Sequence, residues 1–596
     1  MTVDRRSVRD LGRIVLLVVV CSVALGGGGA TSLRGPGSAP QAPTPGDETS
    51  PIAVADVTEE AGLGAFRHET GAVGNKWFPE TMGAGGGFID YNGDGYLDIL
   101  LVGGGTWEEQ PDPPGHHALW LYRNDGDGTF TLRTEEAGLG DVEAYGFGVT
   151  VADYDNNGHP DFYLTTLNEN KLFRNDGGTF TEVGTTAGVA GAPVWSSSAV
   201  FFDANRDGHL DLYVGNYVKW SPKNDFFCSL DGDEKVYCTP EDYEGIAGRF
   251  YRNDGDGTFT DATEEVGMDS TVPGKTLGVV ELDCDQDGWP DLAVANDMER
   301  NLLFHNEGDG TFTEVGTRSG IAYDRLGRPR AGMGIDAGVV DTTGEVTLFV
   351  SNFSGQMVSV FRHVQAGLFE DRADLSMIGR SSQATLGFGL FLFDVNLDGH
   401  LDLFVANGHV QREIEDFRDG VEYRQPPQLF INQAGTGTFD EYDPTSGVLN
   451  TPLVGRGAAY GDVNQDGKLD VLVTENGGPA HLWRNDSNTR HFLRVGLRGT
   501  ESNRDGIGAR VVAVAGEHNM ERRVRAGSSY MSQNEKIVTF GLGRAVQVDS
   551  LSVYWPSGHV DRFENLEADQ TVRIVEGAAT PDIVAEAPPV TAQRVP

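Results

Sequence analysis

At 596 residues, with 81 glycines, a formal net charge of −44 and four cysteines, the chain is too long for one ordinary domain and requires several domains or one large repeat array. The charge excludes nucleic acid, whose binding takes clustered Lys and Arg, and its plainest meaning is a well-solvated surface. Abundant glycine without a three-residue period excludes collagen, and amphipathic helical patterns are scarce, which predicts an all-β body rich in tight turns.

The chain opens with Arg5, Arg6, Arg9 and Arg13, an apolar run from Ile14 to Leu25, and small residues to Ala30. That order predicts an export signal over 1–30 and a secreted, periplasmic or cell-surface location. A permanent anchor would want a longer apolar run, and lipidation of Cys21 would want a small residue where Val20 stands. No other stretch is apolar enough to span a membrane. Residues 31–50 and 578–596 are rich in Pro and Ala and read as a disordered linker and tail.

Residues 51–489 are repetitive. A nine-residue pattern, D-x-[ND]-x-[DN]-G-x-x-D, occurs intact six times, each copy followed by an apolar, strand-like run. Its oxygen donors are Asp90, Asn92, Asp94, the Tyr96 carbonyl and Asp98 in the first copy, and Asp153, Asp155, Asn157, the His159 carbonyl and Asp161 in the second. The third has Asp203, Asn205, Asp207, the His209 carbonyl and Asp211; the fourth has Asp283, Asp285, Asp287, the Trp289 carbonyl and Asp291. The fifth has Asp394, Asn396, Asp398, the His400 carbonyl and Asp402; the sixth has Asp462, Asn464, Asp466, the Lys468 carbonyl and Asp470. A seventh copy at Asp341 is shorter and ends in Thr347, so it is expected to hold metal poorly.

A second motif alternates with the first: LYRNDGDGTF at 121–130, LFRNDGGTF at 172–180, FYRNDGDGTF at 250–259, LFHNEGDGTF at 303–312 and LFINQAGTGTF at 429–439, with weaker forms at 360–369 and 482–492. Asn, Asp and Gly tolerate positive φ, so these segments predict hairpin turns. A fainter T-x-x-A-G element stands at 58–62, 134–138 and 263–267, and more loosely at Thr185, Thr317 and Thr445. Each unit can supply four short strands but cannot bury its own sheet. Units set radially cover one another, which predicts a seven-bladed β-propeller; an open solenoid would need shorter, more regular units.

The acidic pattern mimics the first half of an EF-hand loop, yet the glutamate such a loop needs at position twelve is Leu101, Leu164, Val214, Val294, Val405 or Val473. These loops therefore lead into strands. Their last carboxylate comes at position nine, and glycine at position six permits the turn that folds the donors inward. A plain Asp/Gly turn would suffice for one copy, but six in register concentrate carboxylates that repel one another unless a cation neutralises them. An all-oxygen cage suits Ca²⁺, so about six calcium ions are expected.

Cys228 and Cys238 bracket CSLDGDEKVYC, which has no apolar face to bury; after export a disulfide would staple it, the alternative being two free thiols. Cys284, inside the fourth loop, reads as a small filler with no redox role. Residues 490–577 alternate in short runs such as HFLRVGL, ARVVAVAG and LSVYWP and predict a small β domain. Trp555, Pro556 and Gly558 form either a tight turn with a packed aromatic or a ligand contact.

The repeats resemble the FG-GAP/VCBS repeats of integrin α-subunit propellers, whose loops bind calcium. NRDGIGARVVAVAG (503–516), RAGSSYMSQNE (525–535), FGLG (540–543) and VYWPSG (553–558) resemble the ASPIC/UnbV domain. In that order the two are similar to the cartilage acidic protein family. The resemblance spans roughly 52–577 and implies extracellular binding and adhesion, with no assigned reaction.

No G-x-S-x-G, H-E-x-x-H or phosphate loop is present. His116, His117 and His409 stand out among the histidines, with ordinary loop roles as the alternative. The leading expectation is a calcium-stiffened surface on which insertions 104–118, 219–247 and 409–427 meet a protein or glycan partner. The rivals are a polysaccharide lyase or hydrolase acting from the central channel, and a periplasmic assembly factor whose C-terminal domain docks a partner.

Overall fold

A computed structural model describes residues 52–586 except 108–112, 230–231, 270–272, 445 and 488–489. The expected export signal, Cys21 and the 31–50 linker lie outside the described residues.

Among the described residues the chain forms nine four-stranded sheets, which makes it an all-β, propeller-like protein. Seven sheets are antiparallel meanders lying between residues 54 and 485. Their first strands are Gly86–Ile89, Gly146–Ala152, Ser196–Phe202, Thr276–Leu282, Gly332–Val339, Gly387–Phe393 and Gly455–Gly461. Each first strand contacts the first strand of the next sheet, and the last contacts the first. Because a neighbour covers both faces, inner strands such as Gly387–Phe393 and Asp161–Thr166 are buried along their whole length and read as unbroken apolar runs. The seventh sheet takes its outer strand from the start of the array: Val54–Asp56 pairs with Ala480–Asn485.

The faint third motif stitches neighbouring sheets together. Thr58, Thr134 and Thr263 accept, through Oγ1, the N–H of Leu482, Leu121 and Phe250, which folds each turn back on its own sheet. The Ala61 and Ala137 carbonyls of the same turns accept the N–H of Phe130 and Phe180 in the next sheet at 2.8 and 2.9 Å.

The remaining two sheets form the C-terminal domain. One orders Val538–Gly543, His491–Arg498, Gln570–Val575 and Asp582–Glu586; the other orders His518–Arg523, Arg510–Ala515, Gln547–Tyr554 and Val560–Glu567. Their facing apolar residues, including Val495, Val511, Phe540 and Ile574, share one core with Tyr154, Phe201 and Tyr251 of the second and third meanders. The domain runs beyond 577 because Asp582–Glu586 adds to an open sheet edge, despite the Pro- and Ala-rich sequence around it. Trp555 is packed in its turn, with Nε1–H donating to Asp561 at 2.8 Å.

Segment 525–535 leaves this domain and runs among the first strands of the meanders. Ser529 exchanges two backbone hydrogen bonds with Ile335, Phe88 N–H donates to Gln533 O, and Val149 N–H donates to Met531 O. Ser529 Oγ accepts from Leu390 N–H and donates to Ala458 O, while Met531 N–H donates to Ser198 Oγ. A Cβ on Gly87 would lie 2.4 Å from Gln533 O, and one on Gly85 only 1.7 Å from Met531 O, so the approach requires glycine at both places.

Candidate functional site

Each intact acidic loop joins the first and second strands of a meander, and its ninth residue begins the second strand. Six loops repeat one geometry. The first Asp takes the N–H of the glycine at position six on Oδ2, at 2.8–3.2 Å. The ninth Asp is at most 1% exposed, and its two oxygens accept backbone N–H groups from position two and from the Asn that ends the third strand. The chain enters left-handed conformation twice per loop, at position six, always Gly, and at position four, where Asn156, Arg206, Gln286, Leu397 and Gln465 have φ of 56–64°. The predicted donors Asp153, Asp155 and Asp161 of the second loop, and Asp283, Asp285 and Asp287 of the fourth, bring one ligand atom each within 4.8 Å of the others.

Burial dominates the electrostatics. It pushes the Asp98 carboxyl up to about 8 and Asp161 to about 9, and holds Asp211, Asp402 and Asp470 well above the usual carboxylate range. At position one it raises Asp153, Asp203 and Asp394 to about 7 and Asp283 to about 6. A hard divalent cation among these oxygens would remove that cost, and the donors fit one: all are oxygens and several are carboxylates. The eroded loop differs. Arg362 pairs with Asp341 there, so a guanidinium stands beside the remaining carboxylate.

Two sets of functional residues escaped the sequence reading. The first is the Asn that ends the third strand: Asn124, Asn175, Asn253, Asn306, Asn432 and Asn485. In each, Nδ2 donates to the carbonyl before the ninth Asp of its own loop and to a carbonyl in the corresponding loop of the preceding sheet, such as Tyr91 O from Asn175. The repeated N-D-G signal announced a hairpin and concealed this clamp. The second set is a group of C-terminal arginines aimed at the loops. Arg494 reaches Asp462 at 3.1 Å, Arg523 reaches Asp283 at 3.5 Å, Arg504 reaches Asp153 at 3.7 Å and Arg522 reaches Asp394 at 4.0 Å. Four of the six acidic loops thus lie against the C-terminal domain.

In antiparallel meanders the connections between second and third strands lie at the end away from these loops. The three insertions sit there and meet a fourth segment, 76–82. Trp77 contacts Trp107 and Trp220 with ring centres 4.7 and 6.1 Å apart, Gln411 Nε2 donates to Tyr237 O at 2.7 Å, and Lys76 pairs with Glu413 at 2.9 Å. Cys228 and Cys238 are joined by a disulfide in the same region. Phe226 and Phe227 beside it are 50% and 65% exposed. His409 is buried, its Nδ1 accepts the Gln411 N–H, and burial lowers its pKa to about 4.

The FG-GAP-like repeat family matches residues 90–164, 153–214 and 283–345, and the ASPIC and UnbV family matches 499–581. The chain is therefore a protein of FG-GAP-like repeats followed by an ASPIC/UnbV domain. It is homologous to cartilage acidic protein 1: it is 22% identical to the Mus musculus protein over 511 residues, covering 80% of this chain and 71% of that one. With the Homo sapiens protein it shares 23% identity over 446 residues, 70% of this chain and 61% of that one. The solved structure of YCF48 bound to D1 peptide aligns over 74% of this chain and 96% of that chain, with a TM-score of 0.38 and 11% identity, too distant to carry weight.

Proposed function

We propose that this chain is a seven-bladed, calcium-stabilised β-propeller that acts outside the cytoplasm as a binding or scaffold protein. The seven meanders are the blades, and Val54–Asp56 closes the ring as the outer strand of the last. The observation that carries the reading is the buried ninth carboxylate repeated in six loops, each with three further acidic or amide side chains. At neutral pH such buried carboxyls either keep their protons or gain a cation, and a cage of several oxygens favours the cation. Homology to cartilage acidic protein 1 supports an extracellular, non-enzymatic role.

The recognition surface is the mouth built from the three insertions, where aromatic rings and polar side chains face a protein or glycan. The hydrogen bonds that tie 525–535 to the first strands count against a channel enzyme. The test measures bound calcium by mass spectrometry and thermal melting in calcium and in EDTA, then screens glycans and secreted proteins for calcium-dependent capture. Five or six calcium ions per chain and a melt lowered by many degrees in EDTA are expected; an identical melt in both buffers would remove calcium from the account. Capture weakened by Phe226→Ala or Phe227→Ala would locate the surface, and capture indifferent to both would move it elsewhere.

A further inference from the structure

The fourth loop departs from the other five in two donors at once. Its second residue is Cys284, where the others carry Tyr, Ala or Val. The residue before its clamping Asn is His305, where four others carry Arg and one Ile431. The two fall together in space: Cys284 Sγ, one ring nitrogen of His305 and one oxygen each of Asp285 and Asp291 all lie within 4.8 Å of one another. His305 Nδ1 is 3.1 Å from Asp291 and its Nε2 is 3.9 Å from Asp285. Cys284 is 3% exposed and His305 half-buried.

A third deviation accompanies them. In the other five loops the first Asp accepts, on Oδ1, the N–H of position five of its own loop, whereas Asp283 Oδ1 is buried without a hydrogen-bond partner. The loop is set differently around its donors.

We propose that the fourth loop is a site for a thiophilic divalent cation of the zinc class, held by Cys284, His305, Asp285 and Asp291, and not a sixth calcium site. Calcium takes hard oxygen ligands and gains nothing from sulfur or imidazole, whereas zinc takes thiolate, imidazole and carboxylate together. Tetrahedral zinc with bonds of about 2.0–2.3 Å needs ligand separations of roughly 3.3–3.8 Å, so closing this donor set takes shifts of about 1 Å. An imidazole nitrogen can offer its lone pair to a metal, which the guanidinium at this position in four of the other sheets cannot. Asp285 and Asp291 are shared with the oxygen cage, so the two metals exclude each other at this loop. The inference deepens the cation reading of the loops, yet it can fail or stand separately from it.

The test uses the full chain, stripped of metal and titrated with cobalt(II) in the presence of about 1 mM calcium. One equivalent should bind with a thiolate-to-cobalt charge-transfer absorption, be displaced by zinc and persist at this calcium concentration. C284A and H305Q should abolish the band and weaken zinc binding roughly 100-fold or more, while leaving the calcium-dependent melt of the other loops intact. That retained melt also shows that the variants fold. A titration without the charge-transfer band, or a band that survives either substitution, overturns the proposal. A wild-type chain that shows the band but no calcium-dependent melt would instead sink the calcium reading and keep this one.

Discussion

At the scale of single residues, the asparagines ending the third strands do more than turn the chain. Asn253 is buried: its N–H donates to Asp211, and its Nδ2 donates to Leu210 O and Tyr154 O at 3.0 Å each. Asn253→Ala leaves two buried carbonyls unpaired, so it should lower stability by about 2–4 kcal/mol, read by chemical denaturation; a loss under about 0.5 kcal/mol would show that the clamp is not needed. The ninth aspartates set a pH dependence. Without metal, the folded carboxyls of Asp98 and Asp161 hold protons to about 8 and 9, whereas an unfolded chain releases them near 4. Their contribution to stability is complete below about pH 4 and is lost as pH rises through about 8 to 9. Melting temperatures in EDTA should therefore fall from about pH 5 to pH 9, and the increment restored by calcium should grow over the same range; a flat profile in EDTA would contradict the burial of these groups. The loop donors were legible because their spacing encodes them. The clamp was not, because each Asn finds its second partner 84–102 positions away, or 339 for Asn124, a separation no local pattern records.

At the scale of elements, the outer strand Val54–Asp56 and the T-x-x-A-G turn after it join the last sheet to the first. Asp56 lies on that strand 3.5 Å from His481, whose Nε2 is 2.9 Å from Glu475. Burial opposes the charge on His481, but hydrogen bonds to Asp56 and Glu475 outweigh it and raise the pKa to about 9. A chain beginning after Asp56 would leave Trp483 on a bare edge, since that residue pairs with Asp56. We expect it to melt several degrees lower and to associate through the open strand, visible by size-exclusion chromatography with light scattering; a monomer with an unchanged melt would argue against closure by this strand. The hairpins and four-strand units could be read from turn residues and apolar runs, and the sheets follow them closely. The strand Asp582–Glu586 could not, because its pairing depends on an edge supplied by Gln570–Val575 and not on its own composition.

At the scale of the whole molecule, the repeat array and the C-terminal domain share a core and a buried segment, so neither is complete alone. Deleting 490–586 would uncover Phe147, Phe388 and Leu277 beside the vacated segment and unpair Asp462 from Arg494. Such a truncated chain should bind a hydrophobic dye and unfold at lower temperature, whereas the full chain should show one calorimetric transition; two well-separated transitions would mean that the parts fold independently. Sequence alone separated the two parts at about residue 490 but left their joining invisible, because the residues that dock, Ser529 and Met531 among them, carry no distinctive chemistry. The closing strand has a temporal consequence. Ala53 N–H meets Ser487 Oγ at 3.1 Å across 434 positions, so the last sheet stays without its outer strand until nearly the whole repeat array has been synthesised. During that wait each nascent sheet exposes unpaired edges, and whatever keeps them apart governs the yield of finished protein.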